Sequence, residues 1–178
     1  MRLKKKLFAG VLALITASIF TAGSTMAASI TLDGTIRDFQ QAHPDFEGTI
    51  GGQVNGMVES TLVGGNPVLS AAGLASSQYS TQSNFSQWYT DVPLVNQSIS
   101  HSITLDETAP GSGLFEYSSN SFFPIDGLGF GNEGNTHNYH FTYEISGTTA
   151  FTASDIFEFE GDDDLWVFVD GQLALDIG

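Results

Sequence analysis

The triple aspartate Asp162–Asp164 is the stretch of this sequence whose residue types and spacing could do chemistry. It connects an apolar run ending at Glu160 to a second apolar run, Leu165–Val169. Adjacent carboxylates repel one another, so each raises the cost of ionising its neighbours. A hard divalent cation relieves that repulsion, and Ca²⁺ accepts carboxylate, carbonyl and water oxygens in a flexible geometry. The loop offers no nitrogen or sulfur ligand of the kind that zinc or copper prefers, and the pattern therefore favours calcium.

Two other interpretations of the triple aspartate are open. The first is a solvated acidic turn that keeps a strand edge soluble, because runs of charge are commonly plain surface. The second is a glycoside hydrolase, whose paired carboxylates must flank a bond and differ in environment. Three adjacent aspartates on an exposed loop do not supply such a protected acid, and we expect no catalysis and no catalytic residue. The EF-hand spacing is also missing.

Histidine and tryptophan are the remaining residues that could bind a ligand. His137 and His140 are three apart on an expected strand, which places them on opposite faces and makes them poor joint metal ligands. His101 shares a strand face with isoleucines, as a packing residue would. Trp88 and Trp166 could stack on sugars, but burial in the core is the favoured prediction, above all for Trp166.

The N-terminus has the pattern of a secretory signal peptide over residues 1–27. A basic segment, Arg2–Lys6, precedes the apolar run Leu7–Phe20, which is too short to span a bilayer comfortably. Small residues follow, and cleavage after Ala27 fits best, with cleavage after Ala28 as the alternative. We therefore expect a secreted or surface-displayed chain with no membrane span in its mature part.

The charge of residues 28–178 restricts the possible partners. All 20 acidic residues lie there, whereas Arg37 is the one basic residue of five that does. Nucleic acids and anionic membrane surfaces are excluded as partners because binding phosphate requires Lys and Arg. Cations are natural partners of such a chain. It has no cysteine, so no disulfide can stabilise an exported domain.

Short strands linked by polar turns are predicted along the chain. Residues 138–145 alternate, with one face expected to be buried: Tyr139, Phe141, Tyr143 and Ile145. Leu165–Val169 is apolar on both faces and is predicted to be a central strand packed on both sides. Asp170-Gly171 is a strong two-residue hairpin signal, and Gln172–Ile177 is the expected return strand. One short helix is expected near residues 35–46, with Ile36, Phe39 and Phe46 facing inward.

Together these elements predict a single all-β domain over residues 28–178, built as an antiparallel β-sandwich. The return strand is barely complete at Gly178. We therefore expect that the C-terminal strands of the sandwich are missing from this fragment.

The segment NYHFTYEISGTTAFTASDIFEFEGDDDLWVFVDGQLALDIG, residues 138–178, resembles the fibro-slime domain. The hallmark of that family is Phe-x-Phe-x-Gly-Asp-Asp-Asp-x-Trp-Val-Phe, followed by a short hairpin and Asp-x-Gly. TIRDFQQAHPDFE, NFSQWYTDVPLVN and FFPIDGLGFGN are similar to upstream landmarks of the same family, in the same order. The resemblance covers nearly the whole mature chain.

This resemblance implies a fold and a site. The family is related to the protective-antigen (PA-fourteen) type of domain, a jelly-roll-like β-sandwich. In its lectin-like members an Asp-Asp pair joined by a cis peptide holds a calcium ion that coordinates sugar hydroxyls. The pair falls here on Asp162 and Asp163, with Asp164 as a third ligand or an outer-shell acceptor. Trp166 and Phe168 would then pack beneath the loop, and Asp170 and Gly171 would form the supporting hairpin turn.

The sequence thus predicts a calcium-dependent adhesion module that binds carbohydrate or an extracellular matrix polymer and has no catalysis of its own. It does not indicate which residues would touch the sugar. One alternative is a structural extracellular module that binds protein partners, with an acidic loop that only holds the fold. The other is an accessory domain of a larger extracellular glycoside hydrolase.

Overall fold

A computed structural model describes residues 2–6, 26–46, 54–76, 79–148, 156–160 and 164–177. Strands predominate in this part of the chain, and every strand pairing described below is antiparallel, which confirms the predicted all-β class. The two helices have five residues each, and no helix among the described residues is long and apolar enough to cross a membrane. The elements are β1 (Arg2–Lys6), β2 (Ser29–Phe39), α1 (Ala71–Ala75), α2 (Gln82–Ser86), β3 (Asn96–Glu107), β4 (Leu114–Ser118), β5 (Phe141–Ile145), β6 (Ile156–Glu160), β7 (Leu165–Val169) and β8 (Gln172–Ile177).

The chain divides into two compact units. The first comprises residues 1–33, 102–122 and 146–160, and the second comprises residues 34–101, 123–145 and 161–178. In the first unit β4 pairs with the end of β3 and with β1, and β1 also pairs with β6. Its buried apolar side chains include Ile103, Leu105 and Phe115.

The basic residues expected to begin the signal peptide form β1 in the first unit. In its register Lys4 lies opposite Glu116 of β4 and Glu158 of β6. Since β4 and β6 both run antiparallel to β1, they run parallel to each other. Cleavage after Ala27 would remove β1 and leave β4 and β6 without this shared partner.

The helix expected near residues 35–46 is not formed, because β2 continues to Phe39 and turns follow it. Residues 36–39 are buried one after another, a pattern that a strand packed on both faces allows and a one-sided surface helix does not. The pairing of Gly34–Asp38 with Ile145–Phe141 of β5 satisfies the backbone. Ile36 and Phe39 are buried as expected and Phe46 is half-buried, whereas the predicted type of element was wrong.

The face assigned to residues 138–140 was also wrong. Tyr139 is 50% exposed, whereas Asn138 and His140 are 1% and 4% exposed. Burial of the polar side is possible because its groups find partners: Asn138 Nδ2 donates to the Asp38 carboxylate at 2.8 Å, and the His140 N–H donates to Asn138 Oδ1. Hydrogen bonding here outweighs the alternation of apolar residues.

The β7–β8 hairpin forms as predicted, with Asp170 and Gly171 at φ of 50° and 73° in its two-residue turn. The register shifts along the pair: Phe168 lies opposite Leu173 and Val167 opposite Leu175, so Ala174 bulges. Among the described residues β7 and β8 form a two-stranded sheet. The prediction of a central strand is therefore wrong, and β7 is half-buried by packing against loops instead.

We predict that Gly171→Ala lowers the free energy of unfolding by about 1 kcal/mol, because a Cβ at positive φ is strained. The measurement is urea unfolding of the full chain. Asp170→Asn is the matched control and should be nearly neutral, since Asn tolerates positive φ. Equal stability of the Gly171→Ala variant and the wild type would contradict the turn geometry.

Candidate metal-binding loop

The acidic loop lies immediately before β7, in the second unit. Asp162 and Asp163, the expected calcium ligands, lie outside the described residues, whereas Asp164 is described and exposed. Within the described ranges no group of three or more His, Cys, Asp or Glu side chains could hold a metal ion. The structure therefore describes Asp164 and its surroundings at the start of β7.

Asp164 is tied to the interior by Tyr79. The Tyr79 hydroxyl donates to Asp164 Oδ2 at 2.5 Å, across 85 residues of sequence. Tyr79 is 5% exposed. Burial, followed by the hydrogen bond to Asp164, raises the pKa of Tyr79 well above its usual range, so the phenol remains a donor at physiological pH. Nothing in the sequence around Tyr79 indicates this role.

Asp176 is a second aspartate at the same end of the hairpin. It lies opposite Trp166 in the β7–β8 register. Its Oδ1 accepts from Trp166 Nε1 at 3.0 Å, and its Oδ2 accepts from the Gly56 N–H at 2.7 Å. The carboxylate thereby joins the hairpin to the segment before Met57. Asp176 is the aspartate of the Asp-x-Gly motif, to which the sequence analysis assigned no role.

Aromatic side chains pack beneath this end of the hairpin. Trp166 and Phe168, which were expected to support the loop, pack against a buried cluster. The Trp166 ring lies 5.6 Å from Phe85 and 6.2 Å from Tyr79, measured between centroids. The buried members of the cluster are Met57, Val58, Leu69, Tyr79 and Phe85.

Asp170 and Gly171 lie at the opposite end of the hairpin from Asp164. The five residues of β7 separate the two ends, which is roughly 17 Å of strand. These two residues therefore do not contact Asp164. They can support the acidic loop only by fixing the hairpin turn and the strand register. Glu158 and Glu160, the acidic residues before the loop, belong to β6 in the first unit.

Hydrogen bonds fix several polar groups at this end of the hairpin. They are the side-chain oxygens of Asp164, Asp176 and Tyr79 and the N–H groups of Trp166 and Gly56. After burial and the hydrogen bond, the charges of Asp164 and Asp176 contribute to the raised pKa of Tyr79.

A second polar cluster surrounds the fully buried Asp38. Its carboxylate accepts from the Phe130 N–H at 2.5 Å and from Asn138 Nδ2 at 2.8 Å. Burial is the main influence on Asp38 and raises its pKa, while these two hydrogen bonds lower it. Gly129 has a φ of 59°, and a Cβ there would collide with Asp38 Oδ2. The cluster fixes the glycine-rich loop of residues 127–134 against β2.

Two histidines of this region have separate acidic partners. His137 Nδ1 lies 2.6 Å from Asp126 Oδ2, and His140 Nδ1 lies 3.4 Å from Glu133 Oε2. Glu133 also accepts from the Gln41 N–H at 2.6 Å. The two histidines therefore take part in two different contacts of the loop.

Arg37 is buried beside Asp38 and links three segments. Its Nε donates to Asp91 Oδ1 at 2.9 Å and its Nη1 donates to Glu144 Oε2 at 2.8 Å. The Arg37 side chain is 10% exposed, against 64% for Asp91 and 38% for Glu144. The guanidinium thus joins β2 to β5 and to the segment after Trp88.

The chain is similar to proteins of Dictyostelium discoideum. It is 37% identical to Protein psiD over 166 residues, 84% of this chain and 32% of psiD. It is 34% identical to Protein psiC over 168 residues, 85% of this chain and 33% of psiC, and 35% identical to Protein psiQ over 154 residues, 79% of this chain and 15% of psiQ. The chain therefore spans a third or less of the length of these curated relatives.

No protein-family model matches the chain, so the resemblance to the fibro-slime domain stays a prediction. No solved structure matches it.

We predict that Arg37→Met lowers the free energy of unfolding by about 2 kcal/mol, because two carboxylates lose their partner. The expected loss of stability is smaller than for a fully buried ion pair because Asp91 and Glu144 are partly solvated. Arg37→Lys keeps the charge without the planar fork. Its free energy of unfolding should therefore lie between those of the wild type and Arg37→Met. Urea unfolding measures all three chains, and an Arg37→Met variant as stable as the wild type would contradict this prediction.

The raised pKa of Asp38 predicts that the stability of the protein depends on pH, and it fixes the sign of that dependence. Its contribution to stability is fully present below its unfolded pKa, about 4, and is lost as pH rises through the folded value. The Asp38→Asn variant has no such titration. We expect the stability of the wild type relative to Asp38→Asn, measured by urea unfolding, to fall over the interval in which the pH rises above about 4. A relative stability that rises over that interval would show that the pKa of Asp38 is lowered.

Proposed function

We propose that this chain is a secreted or cell-surface module that binds calcium through its acidic loop and, through the calcium ion, carbohydrate or an extracellular matrix polymer. Asp162 and Asp163 are the proposed calcium ligands. The module has no catalytic step of its own in this proposal. Its fold is proposed to be a β-sandwich of the protective-antigen type, a finer statement than the all-β architecture described above.

One observation carries the proposal: carboxylates are concentrated at the end of the β7–β8 hairpin where the triple aspartate lies. Asp164 and Asp176 stand there on a packed aromatic base. Two further aspartates directly precede Asp164 in the sequence. Such a density of negative charge is costly unless a cation balances it, and a calcium ion would do so with oxygen ligands alone.

The N-terminal sequence supports the extracellular location. Residues 1–27 have the basic, apolar and small-residue regions of a signal peptide, and the chain has no cysteine that would need pairing outside the cell. The relatives support a modular role, because they match most of this chain in a third or less of their own length. Their names state no ligand or activity.

A structural module that binds protein partners is the second candidate function. The contact between Asp164 and Tyr79 favours it, because at least one carboxylate of the triple aspartate holds the fold together. The third candidate, an accessory domain of an extracellular glycoside hydrolase, shares the proposed sugar binding and differs in the polypeptide to which the module belongs.

The test of the proposal is calorimetric titration of calcium into the full chain. We expect saturable binding with a dissociation constant of roughly micromolar to millimolar size, and its loss in the Asp162→Asn/Asp163→Asn variant. The control is Asp106→Asn/Glu59→Gln, which removes two exposed carboxylates elsewhere. Binding that both double variants lose equally would indicate a diffuse ion atmosphere, and no binding by the folded wild type would reject the calcium proposal.

Retention on immobilised polysaccharides then separates the first two candidate functions. The proposed module is retained with calcium and released by a chelator. A chain that binds calcium and is retained on no polysaccharide under either condition would favour the structural module.

A further inference from the structure

The segment just before β5 turns its polar residues inward and its rings outward. Asn138 and His140 are 1% and 4% exposed. Tyr139 between them is 50% exposed, and the side chain of His137 is 32% exposed. Burying a polar side chain is unfavourable unless it is hydrogen-bonded, and Asn138 is bonded to Asp38 and to the His140 N–H. A buried polar frame thus holds two rings at the surface, the reverse of the burial that their residue types favour.

Three rings form one group at this surface, which we call the outer aromatic cluster: Phe123, His137 and Tyr139. The rings of Phe123 and His137 lie parallel within 4°, with their centroids 3.8 Å apart. The Tyr139 ring stands almost perpendicular to both, 5.4 Å from Phe123 and 6.0 Å from His137. Trp88 and Trp166, the residues of the sequence that could stack on sugars, pack instead against the buried cluster of the second unit. The exposed ring that the fold fixes in place is therefore a tyrosine.

Asp126 supplies hydrogen-bonding groups beside the outer aromatic cluster. Its Oδ2 lies 2.6 Å from His137 Nδ1, and its Oδ1 accepts from the Asn138 N–H. These two hydrogen bonds, that of His137 first, lower the pKa of Asp126, so its carboxylate is ionised and acts as an acceptor. Nδ1 of His137 therefore carries the hydrogen, and in the neutral imidazole Nε2 is an acceptor. The cluster thus combines an exposed aromatic ring with oriented polar groups.

We propose that the outer aromatic cluster is a contact site for uncharged pyranose sugars, in which the Tyr139 ring packs on the sugar and His137 and Asp126 accept hydrogen bonds from its hydroxyls. A pyranose has an apolar face of C–H groups and a rim of hydroxyls, and an aromatic ring beside a few placed polar groups matches both. The inference rests on the carbohydrate binding proposed above. It goes beyond that binding because it names residues that touch the sugar and requires neither the acidic loop nor a calcium ion.

The charge of the chain decides which sugars suit this site. Residues 28–178 contain 20 acidic residues and a single basic one, Arg37. The Arg37 side chain is 10% exposed and is paired with two carboxylates. An anionic polysaccharide would therefore be repelled, by Asp126 among others, without a cationic side chain to bind it. Uncharged sugars meet no such repulsion, and their hydroxyls can donate to the acceptors that the site offers.

Affinity electrophoresis of the full chain tests the proposal. The probes are native gels that contain starch, a β-glucan or a galactomannan, each run with calcium and with a chelator. Gels that contain alginate provide the anionic probe. We expect at least one uncharged polysaccharide to retard the wild type in the presence of the chelator. Alginate should not retard it.

Variants of Tyr139 identify the ring as the contact. Tyr139→Leu keeps an apolar side chain and removes the ring, and we expect it to bind the same polysaccharide about 3- to 10-fold more weakly. Tyr139→Phe keeps the ring and should bind more tightly than Tyr139→Leu. Leu74→Ala is the control, because it removes a 56% exposed apolar side chain elsewhere in the second unit, and it should bind as the wild type does. Urea unfolding of each variant confirms that it is folded.

The other outcomes overturn this inference or separate it from the calcium proposal. Equal retardation of Tyr139→Leu and the wild type overturns it, as does a wild type that none of the uncharged polysaccharides retards. An equal loss in Leu74→Ala overturns it as well, by showing a general effect of exposed apolar residues. Retardation that needs calcium and is unchanged in Tyr139→Leu overturns the inference and leaves the proposed function standing. Retardation with the chelator that Tyr139→Leu weakens supports the inference, even where calorimetry detects no calcium binding.

Discussion

Burial of two opposite charges side by side in β2 is the constraint on which the second unit depends. Residues 36–39 are all buried, and Arg37 and Asp38 are among them. A buried charge costs several kcal/mol unless hydrogen bonds and a counter-charge offset it. Arg37 donates to carboxylates of β5 and of the segment after Trp88. Asp38 accepts hydrogen bonds from residues 130 and 138. The segment after Trp88 and the loop at residues 127–134 are thereby held to one strand by polar bonds.

Hydrogen bonds between aspartates and distant donors also hold the end of the hairpin at the candidate site. There Asp164 is exposed and Asp176 half-buried, and the donors are the phenol of the buried Tyr79 and the indole of the half-buried Trp166. Each such bond fixes one aspartate on a packed aromatic base.

Local signals in the sequence were sufficient where a structure is decided by neighbouring residues. The β7–β8 hairpin follows from Asp170-Gly171, because positive φ at both turn positions is a property of those two residues. The helix expected near residue 36 failed because the burial of β2 on both faces depends on β5, about a hundred residues away. The prediction that Tyr139 faces inward failed for a related reason. Asn138 can be buried there because it donates a hydrogen bond to Asp38, 100 residues away in the sequence. Alternation of apolar residues describes burial only when the polar face has no interior partner.

The sequence by itself determined the all-β class, the hairpin turn, the excess of negative charge and the place of the triple aspartate along the chain. These properties belong to composition and to dihedral preferences of adjacent residues, which require no distant partner. The tertiary structure alone decided which distant groups meet Asp164 and Asp176. Tyr79 meets Asp164 across 85 residues and Gly56 meets Asp176 across 120, and no local pattern encodes such a contact. It exists because packing of the aromatic cluster brings the segments together and closes the long loops between them, which local preferences cannot do.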